Sequence, residues 1–181
     1  HIVNNRKQVV VGEIIKSAAF ILASIILARF ALPANITPII AMAVFLPYLT
    51  KNKHIQILLP IGILFLTDIF LGFYGATMFF VYGTMLLISL LSRSTYDAKF
   101  TGILKTSGLS VLLWHIIVNF GVYLNGLGTV SIAQTYLAAI PFDFRLLVST
   151  LAFSSLFYGC NYAVSRFINK QASDLKPINF P

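Results

Sequence analysis

Apolar runs separated by short polar or charged breaks organise this chain, and six of them predict helices. The first covers Ile14 to Leu32, edged by Glu13 and Lys16 at one end and Arg29 at the other. The second, Thr37 to Leu49, has thirteen residues and is short for an unbroken span. It follows Pro33-Ala34-Asn35-Ile36-Thr37-Pro38, where two prolines bar a continuous helix. The third, Ile55 to Phe73, is nineteen residues long, about the length that crosses a bilayer. A tight Gly72-Phe73-Tyr74-Gly75 turn leads to the fourth, Ala76 to Leu91. The fifth runs from Ile103 to Leu124 and the sixth from Leu146 to Val164. Between these two, residues 129–142 are mildly amphipathic and are expected to lie at the membrane interface. No internal repeat or long linker divides residues 1–181, so a single all-α transmembrane domain is expected.

Composition agrees with this pattern. Hydrophobic residues make up 58% and charged ones 10%, with mean hydropathy +0.88. Soluble domains carry about 25% charged residues. The net charge of +8 is spread between apolar runs rather than gathered in a patch, which argues against nucleic acid. With six crossings and both termini in the cytoplasm, eleven of the thirteen basic residues fall inside and only Arg29 and Arg145 outside. A multi-pass protein of a bacterial inner membrane is expected, and no signal peptide with a small-residue cleavage site precedes the first run. The lone Cys160 supports no internal disulfide or CxxC site and is read as a small packing residue. Hydrolase, kinase and zinc-protease motifs are absent, so no catalytic role is expected.

Asp68 is the candidate that most needs an explanation. It interrupts the third run about 20 Å from the cytoplasmic end, and a carboxylate at the centre of a span costs roughly 2.5–3.5 kcal/mol by insertion scales. It must find a partner, water or a proton. It is read either as a ligand contact or as a structural hydrogen-bonding group. Asn35 and Thr37, in the proline-broken link, fall toward the same outer side, where unwound backbone builds a solute site or simply forms an external loop. His115 and Asn119 are four residues apart on one face of the fifth helix, beside Trp114 and Tyr123. They serve a ligand or join helices. No second histidine stands at a metal-like spacing, so neither metal nor haem is expected. Tyr82, with Tyr74, is placed to help close a pocket. On the first helix, Ala19 with Ala23 and Ser24 with Ala28 have the small-xxx-small spacing that admits a close neighbouring helix, internal or from a partner.

Several of these segments resemble an uncharacterised family of small bacterial integral membrane proteins. The resemblance rests on Pro33 to Ile39, Ala41 to Phe45, Leu59-Pro60, Thr67 to Phe73, Val81-Tyr82-Gly83, Val118 to Tyr123 and Ala139 to Phe142. That family is in turn similar to the substrate-binding S components of energy-coupling-factor vitamin transporters. The resemblance implies six helices, cytoplasmic termini and an outward pocket covered by the link between the first two helices. It also implies that Ala19 and Ala23 meet a coupling subunit powered by ATPases. The expected function is capture of a small water-soluble vitamin or precursor, with Asp68→Ala or Asn119→Ala expected to abolish binding without unfolding. The competing expectation is an accessory subunit of a respiratory or photosynthetic assembly. A stand-alone proton-coupled carrier using Asp68 and His115 is the third.

Overall fold

The computed structural model describes residues 2–33 and 36–174, and among them every regular element is a helix. In order these are α1 (Ile2–Ala31), α2 (Ile39–Leu49), α3 (Lys53–Leu71), α4 (Ala76–Ser94), α5 (Phe100–Asn125) and α6 (Ile132–Asp174). Helices α3 to α6 are long and apolar enough to cross a membrane.

The short α2 is the centre of the bundle. Its residues Ile39 to Pro47 are all buried, and α3, α4, α5 and α6 pack around it. A helix that is apolar on every side belongs inside rather than at a surface. At 1.5 Å per residue α2 is about 16 Å long, roughly half the hydrocarbon thickness of a bilayer. The described end of the link before it is tied to α6. The Thr37 backbone N–H donates to Ser149 Oγ at 3.1 Å, and that hydroxyl donates back to the Thr37 carbonyl at 3.3 Å. Ser149 lies seventeen residues into α6, roughly 26 Å from its start. Non-helical backbone at such depth persists only where protein surrounds it or a cavity lies beside it.

Packing follows the logic of a lipid-embedded bundle. Small polar residues are turned inward: Ser107 of α5 shares a 2.9 Å hydrogen bond with Ser154 of α6, and Thr84 and Ser110 bond to carbonyls of their own helices. Large apolar side chains such as Leu58, Phe65, Phe70 and Phe79 face outward. Water would make that outer surface costly, whereas hydrocarbon does not. Gly121 lets α4 close on α5, because a Cβ there would stand 2.7 Å from the Phe80 ring.

Three elements differ from the sequence reading. Residues 129–142 do not form a separate interfacial segment, since Ile132 to Asp174 is one helix of 43 residues with Pro141 inside it. Pro141 has no N–H to offer the preceding turn, but the flanking turns carry the helix through it. Helix α1 begins at Ile2, well before Ile14, and packs chiefly along α3 with Ile25 buried and Val11, Ile15, Leu27 and Phe30 exposed. Cys160 is exposed on α6 rather than packed inside.

Candidate functional site

Asp68 resolves its cost through three donors. It sits one turn before the end of α3, 1% exposed. Arg29, near the end of α1, donates from Nη2 to Asp68 Oδ1 at 2.9 Å and from Nη1 to Thr67 Oγ1 at 2.9 Å. The Thr67 hydroxyl proton is already committed to the Ile63 and Leu64 carbonyls, so its oxygen is free to accept. Asp68 Oδ2 accepts from the Tyr82 hydroxyl at 2.8 Å and the Tyr74 hydroxyl at 3.1 Å. Charge-assisted bonds of this kind are stronger than neutral ones, which offsets the burial of the ion pair.

The turn between α3 and α4 is what returns Tyr74 to Asp68. Gly72 and Gly75 adopt φ of 100° and 70°, a region that side chains with a Cβ rarely enter. At Gly75 a Cβ would also stand 2.7 Å from Asn125 Oδ1, which accepts the Ala76 N–H at 3.2 Å and caps α4. Burial, followed by the neighbouring charge of Asp68, pushes the Tyr74 phenol above its ordinary range, so it stays a donor.

Beside this network lies a cavity of about 430 Å³, lined by Arg29, Pro33, Thr37, Tyr74 and Trp114 together with apolar side chains of α1, α2, α3 and α4. Arg29 forms part of its wall with 18% of its side chain exposed, whereas Asp68 and Tyr82 stand behind it. The α1–α2 link forms one side, and Thr37 Oγ1 accepts the first N–H of α2 at 3.3 Å. Asn35 lies outside the described residues.

A second polar group joins α5 to α6. His115 Nδ1 and Asp143 Oδ2 are 2.5 Å apart, and Asn119 Nδ2 donates to the same oxygen at 2.8 Å. The carboxylate accepts, so Nδ1 is the protonated nitrogen of the ring. A cavity of about 490 Å³ opens here, lined by Trp114, Asn119, Tyr123, Gln134, Phe142 and Asp143 among others. The sequence candidates therefore divide into two groups. Thr37, Asp68 and Tyr82 belong with Arg29, while His115, Asn119 and Tyr123 belong with Asp143. Trp114 stands in the wall of both cavities.

Of the small residues on α1, Ala19 and Ala23 are exposed and Ala28 lines the first cavity, and the Ser24 side chain lies outside the described residues. Sequence reasoning missed Arg29 and Asp143. Arg29 was legible only as a topological charge, and its partner is 39 residues away. Asp143 falls between the interfacial segment expected at 129–142 and the sixth run, which is read from Leu146. The signal that could have found it is the His115/Asn119 face, which requires an acceptor from a neighbouring helix.

No curated protein and no solved structure matches the chain. A family model does match, over residues 9–172, and by that match the chain belongs to DUF6580, a family of unknown function.

Proposed function

We propose that this chain is the membrane-embedded capture subunit for a small water-soluble solute of vitamin size, released inward by partner ATPase subunits. The observation that carries the reading is the cavity beside Arg29, formed where the α1–α2 link is tied to α6. Trp114 and Tyr74 offer ring faces to a planar solute, and the guanidinium offers its remaining hydrogens to a carboxylate or phosphate. Asp68, Tyr74, Tyr82 and Thr67 hold that guanidinium in place. In this reading α1 and the link-plus-α2 hairpin complete six crossings in a bacterial inner membrane. The cavity opens outward and both termini are cytoplasmic, in keeping with the basic residues. The similarity to energy-coupling-factor S components belongs to the same proposal, with Ala19 and Ala23 on the exposed side of α1 meeting the coupling subunit.

The test is to purify the chain in mild detergent, denature it and identify released small molecules by mass spectrometry, alongside Trp114→Ala and Arg29→Gln. A ring-bearing anionic molecule recovered near one per chain from wild type, and depleted in both variants, is the expected result. Wild-type protein that releases nothing and binds no member of a vitamin panel removes the reading. An accessory structural role in a larger membrane assembly is the second reading. It is favoured by the exposed apolar side of α1, where Leu27 and Phe30 have no neighbour among the described residues that covers them.

A further inference from the structure

We propose that the cavity between α5 and α6 binds an alkylammonium group on the carboxylate of Asp143. This inference does not depend on the solute proposed for the first cavity. Asp143 is 9% exposed and lines a space of about 490 Å³. Its Oδ2 is occupied by His115 Nδ1 and Asn119 Nδ2. Among the described residues, Oδ1 accepts no hydrogen bond. That oxygen is accessible from the cavity, where a carboxylate attracts a cation.

The remaining walls select the kind of cation. Trp114 and Tyr123 present aromatic surface, which attracts an organic cation through the negative ring face. Gln134 and Thr135 add polar groups for the rest of the ligand. A bare metal ion is a poor match, because no group of three or more His, Cys, Asp or Glu side chains surrounds the site among the described residues.

The charged and titratable groups near Asp143 leave the place open. Of the titratable groups of α5, His115 bonds to it and Tyr123 lines the same cavity, and from α6 Tyr136 packs edge-on against the His115 ring at 5.5 Å. The fixed cation next along α6 is Arg145. It lies 5.6 Å over the Phe142 ring and, among the described residues, forms no ion pair with Asp143. Arg29, in the other cavity, is paired with Asp68. An ammonium group is therefore attracted here and not to the first cavity, where a cation already stands.

Such a group reaches this depth either on a free amine or as the headgroup of an amino-phospholipid. Trp114 is the only tryptophan and stands in the wall of both cavities, so the Asp143→Asn titration assigns its response to this one. The full chain is titrated in amine-free maltoside micelles with choline, ethanolamine and neohexanol, the last being choline's uncharged carbon isostere. It is also compared in nanodiscs of phosphatidylglycerol with and without phosphatidylethanolamine. A saturable change with the amines or with phosphatidylethanolamine, and none with neohexanol, is expected. Response in micelles identifies a free amine as sufficient, and response only in nanodiscs identifies the headgroup. In Asp143→Asn the half-saturating concentration is expected to rise about tenfold or more. No saturable response to any ammonium, an equal response to neohexanol, or an unaltered titration in Asp143→Asn overturns the proposal. Should that variant fail to fold, Tyr123→Ala, which alters this cavity and not the first, takes its place: a raised half-saturating concentration is expected, and an unaltered titration overturns the proposal.

Discussion

Arg29 and Asp68 show how one buried pair sets both the cost and the use of a site. Removing Asp68 leaves Arg29 unpaired at the cavity wall and the Tyr74 and Tyr82 hydroxyls without their acceptor, and breaking a buried pair costs up to about 3–5 kcal/mol. Asp68→Ala is therefore expected to lower the unfolding midpoint in micelles markedly, in addition to any loss of binding. This differs from the sequence expectation of lost binding in a fully stable protein, because Asp68 holds Arg29, Tyr74 and Tyr82 together. The double variant Arg29→Met with Asp68→Leu is expected to recover most of that loss, since an apolar pair often replaces a buried ion pair without penalty. A double variant no more stable than Asp68→Ala would show that the defect lies elsewhere. Tyr74 gives the pH signature. Its phenol is held above its ordinary value near 10, so the folded state prefers the protonated form. That contribution is fully present below pH 10 and is lost as pH climbs through the raised value. Stability should fall on the alkaline side with a shallower slope in Tyr74→Phe, as followed by thermal unfolding between neutral pH and the alkaline limit. An identical slope in the variant would exclude Tyr74 as the group concerned.

At the scale of elements, close approach between helices depends on single small residues. Gly121→Ala places a methyl 2.7 Å from the Phe80 ring, and the helices must part to admit it. A loss of about 1–3 kcal/mol is expected, eased by Phe80→Leu in the same chain. Unfolding in a graded denaturing detergent checks this, and full stability of Gly121→Ala would contradict the packing described. The same scale shows what the sequence could convey. The apolar runs located six helices because periodicity and length are local properties. The prolines before α2 foretold a break, since each removes a backbone donor where it stands. The Asp68 burden was also legible, being a matter of solvation alone. Its solution was not, because the donors come from α1, the α3–α4 link and α4. Pro141, Asp143 and Arg145 lie within five residues and imitate a loop. They stay helical because Asp143 finds His115 and Asn119 across the interface, a contact spanning 28 and 24 residues of chain.

For the whole molecule, a short buried α2, the Thr37 backbone tied to Ser149 and two cavities meeting at Trp114 make one end of the bundle receptive. At the other end polar ties join the helices beside a further open space of about 640 Å³ lined by Lys53, Arg93 and Leu113. Arg93 bonds to Gln56 at 2.8 Å, and the Tyr48 hydroxyl bonds to the Lys99 carbonyl at 3.0 Å. In the proposed topology the receptive end faces outward. With Cys160→Ala as background, Thr129→Cys should react with a membrane-impermeant maleimide in intact cells, whereas Ser173→Cys should react only after permeabilisation. The reverse pattern would invert the molecule and place the first cavity toward the cytoplasm.

The most direct test of solute capture is extraction from native membranes in a mild detergent, followed by mass spectrometry of every protein and small molecule that accompanies the chain. Recovery of an ATPase pair with a coupling membrane subunit, together with a vitamin-sized solute, is the expected result. Recovery of electron-transfer or pigment-bearing subunits, with no solute, would contradict capture and leave the Arg29–Asp68 pair a structural tie within a larger assembly.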